Sequence, residues 1–135
     1  MKVSKILTFT FAVIAIFVFS NCRRATDNGK IDGFWRIYEI QYLDDNSVVT
    51  PEYDEYIAIQ LELIQLQSPG HSNYTGVITY NKGDEQMGVN FPNLSDAHLY
   101  PYGFTGPEST VRIERADSKH LVLRTPIAIV SCRKY

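Results

Sequence analysis

The chain has 135 residues, two cysteines, one tryptophan and nearly balanced charge, 13 Lys and Arg against 15 Asp and Glu, for a net charge of −2. That length holds one domain with a real core, and the lack of a basic excess argues against nucleic acid as a partner. No phosphate loop, Gly-x-Ser-x-Gly or Cys-His arrangement occurs, and His71, His98 and His120 lack metal-ligand spacing, so no enzymatic activity, metal or cofactor is expected.

Lys2 and Lys5 precede an apolar run from Ile6 to Phe19, broken only by Thr8 and Thr10. A membrane-spanning helix needs about 20 such residues, whereas a charged start and a shorter apolar run fit an export signal. Arg23 and Arg24 retard export and keep an uncut anchor as the competing reading. The length favours a signal peptide over residues 1–21. Phe19-Ser20-Asn21-Cys22 resembles the processing site of bacterial lipoprotein precursors, with Ser20 and Cys22 matching and Phe19 and Asn21 departing. The resemblance implies that Cys22 begins the mature chain and carries the lipid, a diacylglycerol thioether and an acylated amine. The alternative is a plain cut after Ser20. Cys22 and Cys132 could then form a disulfide. With Cys22 acylated, Cys132 is a lone thiol, read most simply as a small buried hydrophobe. Residues 22–31 form a polar tether and residues 32–135 the folded domain. Removing residues 1–21 takes away two lysines and no acid, so −2 becomes −4.

From Gly33 onward period-two patterning dominates. Gly33–Leu43 is rich in aromatic and β-branched residues and reads as a strand. Tyr56–Gln67 alternates with Ile57, Ile59, Leu61 and Leu63 on one side, then flips to Ile64 and Leu66, which predicts a bulge. Asn81-Lys82-Gly83-Asp84 and Ala116-Asp117-Ser118 read as hairpin connections. Ile127–Tyr135 is the closing strand, broken from its predecessor by Pro126. Thr50-Pro51-Glu52 looks like a helix start. The pattern predicts an all-β fold of seven to nine strands with one short helix: an antiparallel up-and-down barrel, or else a β-sandwich. Asp44-Asp45 and Asp54-Glu55 fall in loops, where acids are ordinarily solvated. Tyr100–Pro107 places three aromatics among Pro and Gly, either a binding lid or, as exposed apolar patches seldom persist, a plug over the barrel mouth.

Gly33-Phe34-Trp35 opening the first strand, with about 100 residues of antiparallel strands behind it, resembles the lipocalin and fatty-acid-binding (calycin) folds. The resemblance implies that Trp35 plugs one end of the barrel and that a basic residue of the last strand, Arg133, lies across its ring as a cation–π pair. The whole arrangement is similar to the small lipocalin-like lipoproteins of Gram-negative bacteria. The resemblance implies a protein of the cell envelope, anchored through an N-terminal lipid, with the outer membrane favoured.

If Trp35 points inward, alternation turns Ile37, Glu39 and Gln41 inward too. The opposite face, with Phe34, Tyr38, Ile40 and Tyr42, is nearly as apolar, so periodicity leaves the buried face open. An inward Glu39 and Gln41 need a partner, which points to a cavity holding a small amphipathic ligand against these two and Ile37. The competing function is a structural or interaction lipoprotein with a filled barrel and a working outer surface.

Overall fold

A computed structural model describes residues 28–135. The expected signal segment, the lipid site at Cys22 and the first part of the tether lie outside the described residues. Nine strands follow a 3-10 turn at Gly29–Ile31: β1 (Gly33–Tyr42), β2 (Val48–Val49), β3 (Tyr56–Gln60), β4 (Leu63–Ser68), β5 (Ser72–Thr79), β6 (Gln86–Asn90), β7 (Glu108–Ala116), β8 (His120–Arg124) and β9 (Ala128–Lys134). Every pairing is antiparallel. β1 pairs with both β3 and β9, so eight strands close into a barrel, and the two-residue β2 pairs with the mouth end of β1, at Ile40 and Gln41, on the edge that β3 leaves. Closure decides for the barrel over the sandwich and removes the free edges that an open sheet would carry.

The barrel has two unlike ends. Tight connections at Leu61–Glu62, 80–85 and 117–119 gather at one end, the base, where the chain also enters through Gly29–Ile31. The longer connections at 43–55 and 91–107, with the short ones at 69–71 and 125–127, gather at the other end, the mouth. The described helix, α1 (Asp96–Leu99), and the 3-10 turn Tyr100–Tyr102 belong to the mouth connection. No helix forms at Thr50-Pro51-Glu52.

The phase flip inside Tyr56–Gln67 is a hairpin and not a bulge. Gln60 pairs with Leu63, leaving Leu61 and Glu62 as a two-residue turn with Leu61 at φ 57°. Such a turn favours glycine or asparagine at positive φ. Here Asn28 Nδ2 donates to the Leu61 carbonyl at 2.7 Å and holds it from outside.

A real bulge lies in β1. The register against β9 shifts between Ile37 and Glu39, so the inward set changes parity from Trp35 and Ile37 to Ile40 and Tyr42. Both faces of β1 are apolar because each supplies half of the inward surface. Toward the base the interior is filled by buried apolar side chains, Trp35, Ile37, Ile59, Ile64 and Leu121, and nearer the mouth Phe104 meets Phe91 edge-on at 6.0 Å.

Candidate functional site

At the base, Trp35 is completely buried and its Nε1 donates to the Ile31 carbonyl at 3.0 Å. The cation over its ring is Lys134, whose Nζ lies 4.5 Å from the ring centroid and donates to the Asp32 carbonyl at 2.9 Å. This corrects the expectation for Arg133, which lies over Tyr38 at 4.7 Å. The register gives the reason. Trp35 pairs with Lys134, and directly paired residues share a face, whereas Arg133 pairs with Arg36 on the outer face. Gly33 sits at φ 146° where a Cβ would collide with Lys134 Nζ, so glycine leaves the ammonium its path to the ring.

Ile37 is buried in the packed interior. Glu39 and Gln41 are not brought to it. The bulge turns them outward, where Glu39 pairs with Ser131, the neighbour of inward Val130 and Cys132. Both are half-buried on the outside of the barrel, so the argument that they need an interior partner does not apply.

The cavity lies elsewhere, at the mouth. β1 and β3 stay bonded up to the Ile37 N–H to Glu55 carbonyl bond of 2.8 Å and then part. β1 continues alongside β2 and β9, and the gap opens into a cavity of about 610 Å³. Its wall comes from the upper inward positions of the strands: Ile40 and Tyr42 on β1, Ser68 on β4, Ser72 and Tyr74 on β5. The connections add Tyr53, His71, His98, Tyr100 and Tyr102.

These rings brace one another. Tyr42 stacks on Tyr100 with centroids 4.6 Å apart, and its hydroxyl donates to the Tyr100 carbonyl at 2.7 Å. Tyr53 stacks on His71 at 3.9 Å, and Tyr74 meets both His98 and Tyr102 edge-on. The Tyr102 hydroxyl is 2.6 Å from Ser72 Oγ. Thr125, buried at the neighbouring turn, donates to the Gly103 carbonyl at 2.6 Å and ties the mouth connection to the barrel rim. The aromatic run Tyr100–Pro107 is thus partly plug, through Phe104, and partly cavity wall, through Tyr100 and the buried Tyr102.

Glu55 is the anomaly of this cavity. It is only 9% exposed, and its Oε2 is buried without a hydrogen-bond partner. Burial raises its carboxyl from the ordinary 4.5 to about 7. Burial, with Tyr100 and Glu55 beside it, likewise pushes the Tyr42 phenol up to about 12. The sequence contains the signal that locates Glu55. It lies two residues before Ile57 and four before Ile59, both inward, so period two carried back past the strand end points it inward as well.

Residues 17–135 match the Lipocalin-like domain family. The chain belongs to that family. Two solved structures share the lipocalin-like architecture. A lipocalin-like protein from Bacteroides uniformis superposes with a TM-score of 0.64 at 16% identity, over 79% of this chain and 100% of its own. An uncharacterized protein from Bacteroides eggerthii gives 0.60 at 17% identity, over 77% and 98%. At these identities the likeness concerns the fold. No curated protein matches the chain. In this lipocalin-like barrel Trp35 is buried at the base, apolar side chains fill the lower interior, and the cavity described above lies at the mouth.

Proposed function

We propose that this lipocalin-like barrel is a non-catalytic binding module that takes a small amphipathic molecule in its mouth cavity, and that it is held at a Gram-negative cell envelope through lipid on Cys22. The observation that carries the binding reading is the cavity itself. Its volume of about 610 Å³ lies within the range of roughly 300–1,000 Å³ usual for small-molecule sites. Five tyrosines and two histidines contribute to its wall, and it holds one buried carboxyl with an unpartnered oxygen. A purely structural barrel would gain by filling this space and by replacing Glu55, because an unpartnered buried polar atom costs about 1–3 kcal/mol. The packed lower interior favours the second reading, a structural or interaction barrel.

An amide-resonance titration with fatty acids, short glycans and aryl-alkyl amines separates the two. Binding at the mouth should shift the amides of Tyr42, Ser72 and Tyr100, and Ser72→Trp should abolish those shifts. A panel that moves nothing there refutes the ligand reading. The anchoring proposal rests on the short apolar run and on the placement of Cys22. Cys22→Ser should move the protein from the membrane to the soluble fraction, and a soluble wild-type protein lacking acyl mass would refute it.

A further inference from the structure

The mouth also specifies the head group of its ligand, an inference that rests on the binding reading above. Two acids, Glu52 and Glu55, contribute to its lining, and no Lys or Arg does so among the described residues. The basic side chains of the lining are the imidazoles of His71 and His98, packed against Tyr53 and Tyr74, so a carboxylate ligand would meet the like charge of Glu52 and Glu55 with no permanent cation to receive it. Glu55 Oε2 needs a donor, and the nearest phenol on β1, Tyr42, already donates to the Tyr100 carbonyl. An ammonium supplies what is missing. Its N–H gives a charge-assisted hydrogen bond to the carboxylate, and the surrounding tyrosine rings favour a cation through their quadrupoles. The apolar remainder of such a ligand would lie against Ile40 and Pro101, which line the same cavity.

We propose that the mouth binds a small organic cation, a primary ammonium carried on an apolar body, with Glu55 as its counter-ion and hydrogen-bond acceptor.

The test is calorimetry at pH 8 with three probes of one skeleton, 4-phenylbutylamine, 4-phenylbutanol and 4-phenylbutanoate, on wild type and Glu55→Gln. The expected result is that wild type binds the amine at least about tenfold more tightly than the alcohol, with the acid weakest. Glu55→Gln should lose about tenfold for the amine and leave the alcohol within about twofold. If the acid or the alcohol binds as well as the amine, or if Glu55→Gln keeps the amine preference, the counter-ion assignment is overturned while the cavity remains a binding site. If none of the three binds at millimolar concentration, the organic-cation proposal is overturned, and the binding reading falls with it if the fatty acids and short glycans also shift no mouth amide.

Discussion

Replacing Glu55 by Gln should stabilise the protein at pH 8 and leave it nearly unchanged at pH 4. Burial raises the Glu55 carboxyl from 4.5 to about 7. The unfolded chain therefore releases this proton near pH 4.5, whereas the folded chain keeps it up to about pH 7. Across that window the unfolded state binds fewer protons than the native one, so stability falls as pH rises and then levels off. Each pH unit of that window is worth about 1.4 kcal/mol, which gives about 3 kcal/mol for a carboxyl sealed from water. The mouth is open, and water in the cavity cuts the figure to about 1–2 kcal/mol. Glutamine has the same shape and no proton to lose, so the penalty vanishes. Urea melts followed by Trp35, the one tryptophan of the chain and buried at the far end of the barrel, give the difference between variant and wild type at each pH. Other titrating groups are shared and cancel. A difference that does not change between pH 4 and pH 8 would show that Glu55 ionises as in water, and the account of the mouth would be wrong.

Lys134→Ala should cost about 1–2 kcal/mol through the lost cation–π contact and stem packing, and Arg133→Ala, on an exposed face, about 0.5 kcal/mol or less, both by urea melts; the reverse order would restore Arg133 to the barrel base. Gly33→Ala should cost about 1–3 kcal/mol, since alanine is strained at this φ and displaces the Lys134 ammonium. The loss should shrink but persist in a Lys134→Ala background, and full additivity of the two changes would contradict the shared geometry. Cys132 is fully buried and its thiol is pushed well up by that burial. Iodoacetamide should therefore modify it, by mass spectrometry, only at the rate of unfolding, and labelling of native protein within minutes would place the thiol outside the core.

Much of the barrel is legible in the residues. The strands at Tyr56, Asn73, Gln86, Ser109, His120 and Ile127 announce themselves by alternation, because each has one buried and one wetter face, and the strand at Gly33 by its aromatic and β-branched residues. What escapes is set by single backbone choices. Nothing in Leu61-Glu62 marks a turn, since its positive φ is held by Asn28 from a segment far away in the chain. The β1 bulge consumes one residue, Tyr38, and thereby exchanges the inward roles of Glu39 and Ile40. Two apolar faces on one strand are the trace it leaves, and they do not say where the switch falls. Glu55 was legible in principle by parity with Ile57 and Ile59. The neighbouring Asp54, exposed and loop-like, makes the pair look solvated.

The chain enters the barrel beside Trp35, at the opposite end from the cavity. Under the proposed lipid attachment at Cys22, five residues separate the anchor from Asn28, at most about 20 Å of extended chain. So short a leash would hold the sealed end against the headgroups and turn the tyrosine-rimmed opening toward the aqueous side. Cargo would then be exchanged with the compartment and not with the leaflet. A molecule drawn from the bilayer would have to leave it entirely before reaching Glu55.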